Sequence, residues 1–582
     1  MAPLQNSSTL KYGNAIAKCR SSNAAQSYTY YPVAIIGGGI ACDIPAILYS
    51  FSFCQNPNWS SFHPGGPEIA KYLEDVCSTY GIVDKIQLDT DVKSCTWLEA
   101  EQVWEVRLRN LVLGIGDLST FDRTRKAEKE GQSSVYVSEE TIRTKILISA
   151  VGGLVEPRSW SDSLPSKDKF EGDIFHSARW DYDVDIKDKN VLVVGTGCSA
   201  AQFVPQLTKN YDAKSITQLM RSPPWVVGRS PPPGGHKGWN TWAPWLNNHM
   251  PGFQGFMRYT VFWLAEYAVR LFGSTPYHAA QRKEYEKKLL EHMRASVPEK
   301  YHEILTPNYS VGCKRRIFDE TWFPGLNDPK IDLTSIGPKS VTLGPSPASK
   351  GSGSDSKPSE TREVPTDIII LASGYEATKL FPGMTITGRS GTSIHDLWAS
   401  RGGPQMYMSL SIDQFPNFFT IFGPNSATGH TSVIVAAENA VNLTIKMIRP
   451  ILRGDAGVVE VKRRTADLYA SDIQQSLGGK VWNAGGCRSW YLDEHGWNAT
   501  VYPHTQAWFT YNSMFPTWND WAISYTPSAL RRRRIKSAFL TVLMAALITG
   551  SFYLRKNTQG PLSILKTLVR TTLLKGAALV SG

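Results

Sequence analysis

The sequence predicts an α/β protein built on parallel sheets, and three observations predict it. Short apolar runs end in glycine at residues 32–36 before Gly37-Gly38-Gly39, at 190–194 before Gly195-Thr196-Gly197, and at 367–373 before Gly374. Helical spacing lies between them, as in Ile69, Leu73, Val76 and Tyr80 across 67–80, and residues 102–108 and 144–150 alternate or run apolar like strands. Apolar strands that stop at glycine and alternate with helices are the pattern of parallel sheets covered on their faces.

Composition sets the frame. The chain has 582 residues, 42% of them hydrophobic and 11% aromatic, enough for two to four domains with large cores, which excludes a disordered or collagen-like chain. The net charge of +11 suggests a nucleic-acid partner until it is located. Residues 531–582 hold ten Lys/Arg and no acid, so residues 1–530 carry 52 positive against 51 negative charges. The body is neutral, no nucleic-acid footprint is expected on it, and the basic character belongs to a tail.

Eight cysteines without a CxxC pair or a repeated spacing predict neither a disulfide framework nor a zinc site, and a reducing, intracellular compartment is expected. The first residues lack the charged and apolar regions of a signal peptide, so the Asn-x-Ser/Thr triplets at Asn308 and Asn498 are expected to be chance matches. In the tail, residues 538–554 contain no charge and as a helix would span roughly 25 Å, with basic residues 531–536 before them and Arg555-Lys556 after. A membrane segment with the body on the cytoplasmic side is expected; the alternative is a buried core helix. The stretch 256–272 contains Arg258, Glu266 and Arg270 and reads as an amphipathic helix of the body. Residues 346–363 are Ser, Gly, Pro and charge, a solvated inserted loop.

The two glycine turns differ. Gly195-Thr196-Gly197-Cys198-Ser199-Ala200 follows a clean strand and opens a helix, as a G-x-G-x-x-G/A turn does where backbone must approach a pyrophosphate at a helix N-terminus. The next strand, 216–220, ends in Arg221-Ser222, a cation where an NAD site places an acid, which suits the 2′-phosphate of NADP(H). The first turn keeps Gly37 and Gly39 and has Cys42 at the third position. Pro45 and aromatics at alternate positions follow it, so residues 42–53 cannot supply the usual helix and second strand, and no acid stands at a strand end about 20 residues on.

With these motifs in view, the chain resembles the flavin-dependent Baeyer–Villiger monooxygenases, in particular fungal members that tailor polyketides and terpenoids. The family fingerprint F-x-G-x-x-x-H-x-x-x-W, followed by Pro or Asp, reads Phe170, Gly172, His176, Trp180 and Asp181 just before the second turn. Residues 42–51, 311–315, 367–374 and 423–430 also resemble family segments, and the resemblance covers roughly 31–510. It implies two dinucleotide-binding (Rossmann-like) domains, one for FAD and one for NADPH, and insertion of one oxygen atom from O₂ beside the carbonyl of a small apolar ketone. By motif, it implies that Arg315 supplies the catalytic cation and that Asp43 orients it. Ile44, Tyr49 and Asn425 are expected on the flavin side, and His176 as a linker that couples the domains. Lys314 and Arg316 flank Arg315. Residues 482–491 border the substrate side in the fungal members, with no chemistry assigned.

One departure stands out. Between Ile40 and Ala41, family members carry a helix, a strand ending in the ribose-binding acid and a further flavin turn, all lost here, so weak FAD binding is expected. The implied organisation is a flexible N-terminus (1–30), a first FAD-domain part truncated after Ile40 (31–155), an NADP domain with a helical insertion (156–340), the loop (341–364), a second FAD-domain part (365–530) and the basic membrane tail (531–582). The alternatives are a flavin monooxygenase that hydroxylates or oxidises N or S, and an inactive NADP-binding or membrane-tethered remnant.

Overall fold

The computed structural model describes residues 29–36, 45–158, 160, 169–229, 231–335 and 363–557. Gly37, Gly39, Asp43 and Ile44 lie outside the described residues, as do nearly all of the 346–363 loop and the stretch beyond 557.

Along the chain, β1 (Thr29–Ile36) is followed by the one-turn helix α1 (Ala46–Tyr49), α2 (Gly66–Thr79), β2 (Thr90–Leu98), β3 (Val103–Leu111), α3 (Thr120–Glu130) and the long β4 (Tyr136–Ser149). Next come β5 (Asp173–His176), β6 (Asn190–Val194), α4 (Cys198–Lys209), β7 (Ser215–Met220), β8 (Val226–Gly228), α5 (Gly235–His249), α6 (Phe253–Glu266) and α7 (Pro276–Ser296). They are followed by β9 (Ile317–Asp319), α8 (Trp322–Gly325), β10 (Ile331–Ser335), β11 (Ile368–Leu371), β12 (Thr385–Thr387), α9 (Ile394–Ser400), β13 (Phe418–Thr420) and α10 (Val433–Leu452). The remaining elements are β14 (Ala456–Val461), α11 (Arg463–Gly478), α12 (Val481–Ala484), α13 (Gln506–Met514), β15 (Trp521–Tyr525) and α14 (Pro527–Asn557). They form two compact units, Met1–Ile448 with Val459–Ala522, and Arg449–Val458 with Ile523–Gly582.

The first unit holds two main sheets. One is entirely parallel in the order β10-β7-β6-β11-β5. Taking β6 as strand one, β10-β7-β6-β11 is the 3-2-1-4 arrangement of a dinucleotide-binding fold, with the Gly195 turn at its centre and β5, which precedes β6 in the chain, added at the edge. Its core packs α4 onto the sheet through Ala200, Ala201, Val204 and Leu207, all buried, against Val191, Val193, Trp322 and Phe323. The family fingerprint explains itself here by packing. Trp180 meets Phe175 and Phe203 edge-on at 5.2 and 5.4 Å, and a Cβ on Gly172 would lie 2.1 Å from the Asp367 carbonyl.

The other sheet runs β1-β4-β3-β2-β12, with β13 also paired to β4. The parallel strands β1, β4 and β13 correspond to positions 1-4-5 of the same fold, but β1 is an edge, and no strand flanks its outer side among the described residues. Ile35, in a strand that such folds bury on both faces, is 65% exposed. Residues 46–49, in the stretch expected to lack the usual helix and second strand, form only the single turn α1, held where the Ala46 N–H donates to the Phe62 carbonyl at 2.9 Å. The antiparallel β2–β3–β4 layer packs on Trp104, which is fully buried, tilts against Trp97 and Phe418, and donates to the Pro416 carbonyl at 2.8 Å.

In the second unit α14 extends the apolar tail into one continuous helix that already contains the basic residues 531–536. Its most apolar stretch, within Pro527–Phe552, is long enough to cross a membrane and is entirely exposed, so the buried-core alternative for this segment is wrong. The start of this unit's helix is tied down by the Thr526 N–H donating to the Asp455 carbonyl at 2.9 Å and by an Arg532–Asp455 ion pair.

Trp104 carries both packing and a buried donor, so Trp104→Ala is expected to cost about 3–5 kcal/mol of stability, measured by denaturant unfolding.

Candidate functional site

The turn after β6 is shaped by a close approach. Gly195 has φ +122°, and a Cβ there would lie 2.5 Å from the carbonyl oxygen of Ala372, at the end of β11. A buried amide holds the turn from beneath. Gln218 on β7 donates to the Gly195 carbonyl at 2.9 Å and accepts from Trp322 Nε1 at 2.9 Å. Thr196 and Ala200 are buried, whereas Gly197 and Ser199 are exposed. Open space surrounds the Cβ position of Gly197, so nothing in the protein itself excludes a side chain there. Gly197 is the N-cap of α4 and no side chain caps it, which leaves N–H groups of the first turn directed outward. A helix start of this kind favours a phosphate.

Arg221 and Ser222 follow β7, the strand paired in parallel with β6. The structure adds a third group. Lys314 Nζ donates to Ser222 Oγ at 2.6 Å and lies 4.5 Å from the centre of the Tyr309 ring. Burial first, and the Arg221 charge second, push the Lys314 ammonium down to about 8. Two like charges held together beside a hydroxyl form a site that a phosphate monoester would relieve. Arg315, the expected catalytic cation, is exposed next to Lys314, and Arg316 is buried among the rings of Phe272, Tyr285 and Phe318.

The cysteines require a correction. Cys313 and Cys487 form a disulfide, 174 residues apart in sequence, a single bond where the sequence predicted no framework. The fold brings together two cysteines that share no local spacing pattern, and the bond ties the Lys314–Arg315 loop to the 482–491 segment. Buried Asn498 fits the reading of its triplet as a chance match.

His176 ends β5, and its Nδ1 accepts from the Ala178 N–H at 3.0 Å. Burial lowers its pKa, which keeps it neutral and suits a positioning role. On the other sheet's side, Tyr49 is buried against Ile69 and Ile434, and Ser432 Oγ donates to the Leu48 carbonyl at 2.8 Å, joining α1 to the start of α10. Asn425 has a left-handed backbone (φ +56°), and its Nδ2 donates to the carbonyls of Asn498 and Val501 at 2.7 and 3.0 Å, so its amide shapes the turn rather than reaching out. At the end of that turn a buried pair went unseen in the sequence. His430 Nε2 lies 2.7 Å from Glu266 Oε1, and Phe272, beside His430, stacks on Trp482 at 4.6 Å. His430 Nδ1, Thr431 Oγ1, Trp482 Nε1 and Gln506 Nε2 are buried without a hydrogen-bond partner among the described residues, a set that a polar bound group would satisfy.

Residues 116–240 match the family model described as flavin-binding monooxygenase-like. A Baeyer–Villiger monooxygenase of Streptomyces coelicolor is 29% identical over 473 residues, 81% of each chain. An FAD-binding monooxygenase of Aspergillus niger is 27% identical over 500 residues, 84% of this chain and 75% of its own. Over these stretches the chain is similar to flavin-binding monooxygenases. Among solved structures, the polycyclic ketone monooxygenase of the fungus Thermothelomyces thermophila shares the fold with TM-score 0.66 at 19% identity, covering 88% of this chain and 92% of that one. A steroid monooxygenase bound to NADP superposes with TM-score 0.65 at 21% identity, over 86% and 100%.

Against this family, the two cofactor sites of the flavin monooxygenase fare differently. The Gly195 turn, the α4 start, Arg221, Ser222 and Lys314 fit a 2′-phosphorylated dinucleotide. For FAD, the orphaned polar atoms around His430 fit the flavin end. The adenosine end does not fit, because the described residues provide no strand beside β1 to carry a ribose-binding acid.

Because Lys314 loses its charge as pH rises through about 8, affinity for NADP⁺ is expected to fall at and above that pH in a fluorescence titration. Lys314→Arg, charged throughout, is expected to flatten the profile. Gln218→Leu would strand the Gly195 carbonyl and the Trp322 donor and cost about 1–3 kcal/mol in chemical unfolding, with weaker NADP⁺ binding.

Proposed function

We propose that the chain is an FAD- and NADPH-dependent monooxygenase of Baeyer–Villiger type, acting on an apolar ketone such as a polyketide or terpenoid. The observation that carries this reading is the convergence of Arg221, Ser222 and Lys314 next to Arg315, beside an uncapped helix start and a glycine turn. The relatives named Baeyer–Villiger monooxygenases support the reaction class. The exposed N–H groups of α4 would take the pyrophosphate of NADPH, and the three polar groups its 2′-phosphate. Reduced flavin, when bound, supplies the activation of O₂. Arg315 would then hold a fixed positive charge where negative charge develops on the reacting oxygen, a role guanidinium fills at any working pH. Asp43 would orient it, and Glu266 would fix the His430 ring in one direction against the buried orphaned donors.

The open β1 edge favours a second reading, in which the chain holds FAD weakly and works below its relatives' capacity, or not at all, as an NADP-binding remnant. We also read α14 as a membrane anchor that leaves the catalytic body on the cytoplasmic side.

With FAD supplied in excess, NADPH and a cyclic ketone, the expected product is the lactone carrying one ¹⁸O atom from ¹⁸O₂, read by mass spectrometry. Arg315→Ala is expected to lower product formation by about 100-fold or more. A hydroxylated product would replace this reading with the hydroxylating one. NADPH bound but never consumed would favour the remnant. Flavin absorbance co-purifying at one per chain would contradict the weak-FAD reading. Removing residues 531–582 is expected to move the protein from the membrane to the soluble fraction.

A further inference from the structure

Helix α6 is built inside out. Its charged residues face the body: Arg258 donates to the carbonyls of Ile47 and Ser50 at 2.9 and 2.6 Å and pairs with Glu438 at 2.8 Å. Glu266, the one fully buried residue of the helix, pairs with His430 and accepts from the N–H groups of Gln506 and Ala507 at 3.2 and 3.3 Å. The large apolar side chains face outward. Phe256, Tyr259, Trp263 and Leu264 are all more than half exposed, and Tyr267 extends the stripe at helical spacing. The end of α6 is joined to the start of α13 through Glu266, and α13 repeats the pattern. Trp508, Tyr511 and Phe515, just past its end, are each more than half exposed, with successive rings 5.5 and 5.2 Å apart. Two such exposed aromatic stripes, on helices whose charged side chains turn inward or are missing, are unfavourable against water.

We propose that the α6–α13 face seats in the interfacial layer of a lipid bilayer. The side-chain types are those that prefer the headgroup boundary, Trp and Tyr with Phe. Residues 213–265 contain no Asp or Glu while carrying Lys214, Arg221, Arg229, Lys237 and Arg258, and residues 495–519 contain no acid either, so neither helix turns a carboxylate toward anionic headgroups. The same chain carries α14, which contains the basic residues 531–536 ahead of an apolar stretch that is exposed throughout, and the proposal rests on the anchor reading of that helix for bringing the body to a membrane. Behind α6, Gln254 and Met257 line a cleft with Ile47, Ser50 and Trp59. A docked face therefore gives a lipid-dissolved ketone a short path toward the α1 segment.

Hydroxyl-radical footprinting of the full chain, with and without vesicles of phosphatidylcholine and phosphatidylserine, tests this. Severalfold lower oxidation at Tyr259, Trp263, Tyr511 and Phe515 on adding vesicles is expected, with Leu113 and Tyr182, exposed elsewhere on the body, unchanged. Protection of α14 alone overturns the docking face and leaves the anchor reading standing; protection nowhere overturns both. Protection that needs no vesicles and grows with protein concentration assigns the face to a second copy and overturns the proposal. In the doubly substituted Tyr259→Glu, Trp263→Glu chain, α14 is expected to stay protected while Tyr511 loses its protection. Persistent protection of Tyr511 would overturn the view of one continuous docking surface.

Discussion

The approach of the Gly195 turn to the end of β11 is the constraint on which the nucleotide site depends. With no room for a Cβ between Gly195 and the Ala372 carbonyl, the turn after β6 is confined to glycine, and α4 starts just beyond it at Gly197 without a side-chain cap. Gln218 locks that geometry from the adjacent strand, and the strand itself delivers Arg221 and Ser222 to the same rim. Lys314 arrives from a distant loop and meets Ser222 there. A parallel sheet with β6 at the centre of a 3-2-1-4 order is what lets residues more than a hundred positions apart build one anion site.

The second sheet shows what happens when part of that plan is absent. Its parallel strands β1, β4 and β13 keep their mutual order, so the sheet survives, but β1 has become an edge with Ile35 in solvent. The residues around Tyr49 and Asn425 are held by other elements, through Ser432 to α1 and through Asn425 to residues 498–501, and not by a strand beside β1.

Much of this was legible beforehand because it is local. Strand β6, the glycine turn, the Ala200 packing position and Arg221-Ser222 lie within one βαβ stretch whose spacing obeys backbone geometry. Lys314 was visible only as the neighbour of Arg315, because its role comes from a tertiary contact with Ser222. Gln218 and the Glu266–His430 pair had no signal: a polar residue inside a strand or helix looks like a surface residue until its burial is known. The Cys313–Cys487 bond failed for the same reason, since 174 residues separate its ends and pairing follows the fold. In α6 the hydrophobic period was read correctly, but a period says that a helix has two faces, without saying which one meets the body.

A calorimetric titration of the full chain with NADP⁺ and with NAD⁺ tests most directly whether the Gly195 turn and the Arg221–Ser222–Lys314 cluster form an intact 2′-phosphate site. The account predicts that NADP⁺ binds about tenfold or more tightly than NAD⁺, the worth of charge-assisted hydrogen bonds to one extra phosphate. Equal affinities for the two nucleotides, or no binding of either, would contradict it.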